Sequence, residues 1–139
     1  MRVLSVKASC FAHATEEVER VKLALTNIFP IEVEVKQSHA RGQFGNPIAI
    51  LEAELTRQRE IRAFLKRLTE ALPEEELKRL REEVEQRFEQ GRFYIRLDKM
   101  QAYLGKLRLG QGLQVVLVVT SYPYNEDEIK EGIKKLLGR

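Results

Sequence analysis

The sequence predicts an α+β fold: a single mixed or antiparallel sheet with helices packed mainly on one face, in the order β-α-β-β-α-α-β-β-α. Two observations carry this. Apolar residues recur at every second position in five stretches and at every third or fourth in four others, the periods of half-buried strands and of amphipathic helices. The connections are short and punctuated by Gly and Pro, and hairpin-like strand pairs are interspersed with helices, which suits one sheet with a helical layer.

Each element has its own signal. Leu4, Val6, Ala8, Cys10 and Ala12 alternate with Ser5, Lys7 and Ser9, giving a half-buried first strand. Thr15 is placed to cap a helix whose first turn carries Glu16 and Glu17, where the helix dipole favours carboxylates. Val18, Val21, Leu25 and Ile28 follow at helical spacing until Pro30 closes the segment. Ile31, Val33 and Val35 alternate with Glu32, Glu34 and Lys36, predicting a second strand, and residues 38–47 read as a loop. Leu51, Ala53 and Leu55 then mark a third strand with Glu52 and Glu54 outward. Ile61, Phe64, Leu65, Leu68 and Leu72 predict one helix; Leu77, Leu80, Val84 and Phe88 predict another, opened by Pro73 and ended by Gly91. Glu74/Lys78, Glu75/Arg79 and Glu83/Arg87 stand at i, i+4 in the favourable order. Phe93, Ile95 and Leu97 form a fourth strand. The run Val115-Val116-Leu117-Val118-Val119 predicts a central fifth strand covered on both sides. Asn125 with Glu128 opens a last helix built on Ile129, Ile133, Leu136 and Leu137.

The totals narrow the class. A chain of 139 residues, 43% hydrophobic, can bury a core of its own, and residues 1–139 are expected to form one domain. No apolar run approaches a membrane span. The first residues pass straight into a strand pattern without a secretory signal, and the lone Cys10 suits a reducing compartment, so the expected location is cytoplasmic. Net charge is +3, and the charged residues are mostly Glu, Lys and Arg, a bias common in proteins from hot environments; eight glutamines pull the other way. No zinc spacing, P-loop or dinucleotide fingerprint occurs, so neither metal nor cofactor is expected.

The distribution of charge says more than its total. Arg92, Arg96, Lys99, Lys106 and Arg108 lie between Gly91 and Gly112 with Asp98 the only acid, and Tyr94 and Tyr103 are interleaved with them. Cations can neutralise phosphates while exposed aromatics stack on bases; the bland reading is a basic strand and loop with core aromatics. Arg59, Arg62 and Lys66 share one helix face, either solvated or phosphate-facing. Lys36, His39 and Arg41 surround Gly42, Gly45 and Asn46 in a loop whose backbone could approach a phosphate, or could be turn chemistry alone. Residues 74–89 are acid-rich, so the molecule should be polarised. Arg41-Gly42-Gln43-Phe44-Gly45 looks superficially like an RNA-recognition motif, but the strand aromatics that should follow are missing, and Glu32, Glu34, Glu52 and Glu54 at polar strand positions would repel phosphate.

Catalysis has few candidates. His13 and His39 are the near-neutral acid–base groups, and a metal-independent ribonuclease using both is the enzymatic alternative. Cys10 and His13 are an odd number of residues apart and make a poor nucleophile–base pair. The expectation is therefore no enzyme.

Three stretches carry a resemblance: His13-Ala14-Thr15-Glu16, Phe44-Gly45-Asn46-Pro47-Ile48, and Tyr94-Ile95-Arg96-Leu97-Asp98-Lys99 with Tyr103-Leu104-Gly105. With Tyr122-Pro123 they make the chain similar, over essentially its whole length, to the archaeal RNA-binding proteins described as predicted exosome subunits. The resemblance implies a fold like ribosomal protein L5, RNA binding, a link to RNA processing, and no known catalytic residue. It directs attention to His13, Thr15, Arg41, Gly45, Asn46, Arg96, Lys99 and Tyr103, with Asp98 as a contact or as an orienter of Arg96 or Lys99. The joint expectation is a non-catalytic RNA-binding protein. The binding alternative is a protein–protein adaptor of an RNA-processing complex, in either case with a possible homodimer.

Overall fold

A computed structural model describes residues 1–138. Six strands form one sheet: β1 (Arg2–Ala12), β2 (Lys36–Arg41), β3 (Pro47–Leu55), β4 (Phe88–Glu89), β5 (Arg92–Asp98) and β6 (Gly112–Thr120). Their spatial order is β2-β3-β1-β6-β5-β4 and every pairing is antiparallel. The helices are α1 (Val18–Asn27), α2 (Gln58–Ala71), α3 (Glu74–Glu82), α4 (Val84–Arg87), α5 (Lys99–Tyr103) and α6 (Glu126–Leu136). The expected α+β architecture with one antiparallel sheet is therefore present.

Alternation sets which face is buried. Register aligns Val6, Ala8 and Cys10 with Leu55, Ala53 and Leu51 on β3 and with Leu117, Val115 and Leu113 on β6. Phe93, Ile95 and Leu97 of β5 join the same face. The helices cover it with Leu25, Phe64, Leu68, Leu77, Leu80 and Ile133, all fully buried. At roughly 1.5–3 kcal/mol for each large side chain buried, this interface dominates the favourable side of folding.

Several expectations shift. Residues 31–35 do not form a strand: Ile31, Val33 and Val35 pack half-buried against the core from an extended segment. Their alternation reported one-sided burial, not ladder pairing. The strand lies instead at Lys36–Arg41, in the predicted loop, where all six side chains are exposed and only main-chain pairing to β3 defines it. Thr15 does not cap α1; the N-cap is Glu17 and makes no side-chain capping bond. A bulge between Val3 and Ser5 leaves Leu4 exposed, while Ser5 stays on the face of Val118 and is nonetheless buried. The helix predicted from Leu77 to Phe88 breaks at Glu83 into α3 and α4, and Phe88–Glu89 starts a hairpin. Gln90 and Gly91 both take positive φ, 48° and 81°, as a tight hairpin turn requires. Of the expected helix pairs Glu83–Arg87 forms at 2.8 Å, while Arg79 reaches Glu83 and Glu74 holds Arg81. β6 is central in the sheet, but helices cover one of its faces only. The Asn125 cap is as expected, its Oδ1 accepting the Glu128 N–H at 3.0 Å.

Candidate nucleic-acid interface

Among the described residues no helix covers the other sheet face, and most of its side chains meet solvent, Ser5 and Val116 being the buried exceptions. β5 projects Arg92, Tyr94 and Arg96 onto it, because Phe93, Ile95 and Leu97 are committed to the core. Register sets Val118, Val116 and Gln114 of β6 beside them, then Ser5, Lys7 and Ser9 of β1, then Glu54 and Glu52 of β3. Arg92 and Arg96 are exposed and, among the described residues, have no ion-pair partner. Tyr94 stands half-buried between them. On the other side of β1, Lys7 lies 3.8 Å from Glu54, and Lys36 is registered opposite Glu52. The face is thus split, with unneutralised cations along β5 and carboxylates along β3.

The end of the sheet where β1 and β5 finish gathers many of the sequence-predicted residues and gives several of them structural work. Lys99 Nζ meets Glu16 at 2.8 Å and donates to the Phe11 carbonyl at 3.1 Å. Glu16 also accepts the His13 backbone N–H at 3.1 Å. Burial alone would raise the Glu16 pKa, but these hydrogen bonds and the Lys99 charge outweigh it and hold it below 4.5. Asp98 caps α5, its Oδ1 accepting from Gln101 N–H at 2.8 Å. Tyr103 packs against the core, and its carbonyl accepts from the Asn27 side chain. Arg108 is bound to Glu76 at 2.8 Å. Arg41 closes its own turn by donating to the Gly45 carbonyl at 3.0 Å, and Gly42 N–H bonds the Asn46 carbonyl. His13, Thr15, Lys36, His39 and Lys106 are exposed.

The basic helix face stands apart. Arg59, Arg62 and Lys66 are exposed on α2, whose other side packs into the core through Ile61, Phe64, Leu65 and Leu68. They point away from the open sheet face, so one ligand surface does not hold both clusters. Arg67 on that helix donates to the carbonyls of Asn27 and Ile28, closing the end of α1. Cys10 is buried, and burial pushes its thiol pKa to about 11 despite nearby Lys99, which leaves it unreactive as a nucleophile. Sequence reasoning did not single out four exposed aromatics as contacts: Phe11 on the open face, Phe44 at the β2–β3 turn, and Tyr122 and Tyr124 after β6. For Phe11 the signal was present, since strict alternation along the first strand turns position 11 outward.

A family model described as RNA binding matches residues 5–122. The chain belongs to this RNA-binding family. The match runs from Ser5 within β1 to just past the end of β6 and so includes the open face from Lys7 to Val118. Among the family's relatives, the chain is 36% identical to the RNA-binding protein PAB1135 of Pyrococcus abyssi, over 96% of this chain and 92% of that protein. It resembles protein AF2318 of Archaeglobus fulgidus in structure, with a TM-score of 0.89, 35% identity and coverage of 97% and 99% of the two chains. Mth689 of Methanothermobacter thermautotrophicus gives a TM-score of 0.79 at 31% identity, covering 98% of each chain. Among the described residues no helix is long and apolar enough to cross a membrane.

Proposed function

We propose that this protein binds RNA without cleaving it, through the basic half of the open sheet face. The observation that carries the reading is the alternation of Arg92, Tyr94 and Arg96 on an uncovered surface, with no carboxylate partner for either arginine among the described residues. Successive outward positions on a strand are about 6.6 Å apart, so the two guanidinium groups define a track of about 13 Å along which phosphates can lie. Exposed, unpaired cations displace condensed counterions most effectively; Lys99 and Arg108, already bound to carboxylates, contribute less. Exposed Lys106 adds to the positive field, whereas on β2 Lys36 is registered opposite Glu52 and His39 pairs with the core-side Ala49. A cytoplasmic role in RNA processing beside the exosome, and kinship with ribosomal protein L5, belong to the same reading.

Fluorescence anisotropy with labelled RNA at several salt concentrations tests it. Arg92→Gln and Arg96→Gln should each weaken binding and lower the slope of log affinity against log salt by about 0.7–0.9 for each phosphate that is no longer neutralised. A denaturing gel of the same mixtures should show intact RNA; fragments that vanish in a His13→Ala/His39→Ala variant would make it a ribonuclease instead. No binding to any RNA at low salt would shift the function to an adaptor.

A further inference from the structure

Phe11 is 52% exposed near the end of β1, paired across to the half-buried Ile50 of β3, so about half of the ring is left open to water. It projects onto the same open face as Tyr94. One step beyond the Cys10–Leu113 pair, its neighbour across β6 is Gly112, which offers no side chain to cover it. The backbone beneath the ring is fixed, because the Phe11 carbonyl accepts from Lys99, itself held by Glu16. Phe11 and Tyr94 are separated by two strand spacings, about 10 Å, and by about 13 Å along the strands, with Arg96 and Gln114 in the row between. The Glu52 and Glu54 carboxylates bar a polyanion from the far side of β1.

From this layout we infer that the RNA held here is single-stranded, crossing the face obliquely with one base on Phe11, another on Tyr94, and its backbone at Arg96 and Arg92. The inference rests on the RNA-binding reading and names its substrate class. A base inside a duplex hides both faces in the stack, whereas an unpaired base can lie flat on an aromatic ring. Such stacking is tolerant of sequence, because every base has a π-face. A backbone fixed beneath the ring before binding also lowers the conformational entropy lost on association.

The test compares an unstructured single-stranded RNA with a duplex of the same length, using the full chain and three variants at position 11. The parent should prefer the single strand. Phe11→Ala and Phe11→Leu should lose about 5- to 150-fold in affinity for it, the range of one base–aromatic stack, with an unchanged salt slope; Phe11→Tyr should keep it. Leucine retains apolar area without a π-face, so its loss separates stacking from simple burial. Thermal unfolding of each variant checks that the fold persists. Equal affinity of the parent for duplex and single strand, or full affinity in Phe11→Ala, would overturn the inference. If Arg92→Gln and Arg96→Gln weaken binding while Phe11→Ala does not, RNA binding stands and the single-strand assignment falls. Failure of the parent to bind either probe at low salt removes both.

Discussion

Arg96 and Lys99 are three positions apart in a basic stretch that reads uniformly in sequence, yet they have opposite fates. Arg96 points from the open sheet face into solvent, whereas Lys99 braces the β1–α1 loop through Glu16 and the Phe11 carbonyl. Charge is legible in a sequence; the carboxylate that will consume it, here 83 residues away, is not. The same holds for Arg108 with Glu76. Lys99→Met should therefore cost about 1–3 kcal/mol of stability, as expected for a hydrogen-bonded charge that is mostly shielded, and leave the salt slope of RNA binding unchanged. Urea unfolding and the anisotropy titration read the two effects separately. The pair also predicts a pH dependence. The folded pKa of Glu16 lies below its ordinary 4.5, so as pH falls the unfolded chain takes up this proton first. The stabilisation is whole above about pH 4.5 and fades as pH drops through the folded value. Glu16→Gln should flatten that part of the acid-unfolding curve relative to the parent.

Elements with strong apolar periodicity were legible: the first strand, the third, β5, β6 and the helices α1, α2 and α6 all lie where spacing predicts. β2 was not, because Lys36 to Arg41 offers no buried side chain for a pattern to register. α5 was hidden too, being five residues long and specified largely by the Asp98 cap. That cap lies within a device no periodicity announces. Residues 106–111 run along the outer edge of β5: Asp98 N–H bonds the Arg108 carbonyl at 2.8 Å, and Gly110 N–H bonds the Arg96 carbonyl at 3.1 Å. This strap occupies the strand edge beyond the two-residue β4, and so fixes the backbone that presents Arg96. Gly110 is required by space: a Cβ there would stand 2.6 Å from Asp98 Cβ and 3.0 Å from its Cα. Gly110→Ala should lift the strap from β5, destabilise the fold by about 1–3 kcal/mol, and raise amide exchange at Asp98 and Gly110 above that of the β1–β6 ladder. Asn125→Ala, a simple cap loss at a distant helix, should cost about 1 kcal/mol and leave those two amides as protected as in the parent.

At the scale of the whole molecule, the sheet separates two jobs: one face is given to the core and the other is left for a ligand. The sequence carried the composition of that second face but not its boundaries, because strand order decides which outward residues become neighbours. Arg96 and Ser9 lie 87 positions apart and share a row only because β6 pairs with both β1 and β5; Arg59, nearer to Arg96 in the chain, belongs to the opposite side. Cys10 offers a way to read the two faces against each other. Its thiol is buried on the helix side and held near pKa 11, so alkylation at pH 8 should wait for opening of the core. RNA on the other face never touches the thiol, but it binds the folded chain and so makes opening rarer. At single-stranded RNA 100 times above its dissociation constant, opening should cost about 2.7 kcal/mol more and alkylation should slow about 100-fold. Arg92→Gln/Arg96→Gln should lose most of that protection at the same RNA concentration. An alkylation rate that RNA leaves unchanged, in a parent protein shown by anisotropy to be saturated, would mean that Cys10 is reached by a local opening at the end of β1. The two faces would then not be coupled through the stability of the sheet.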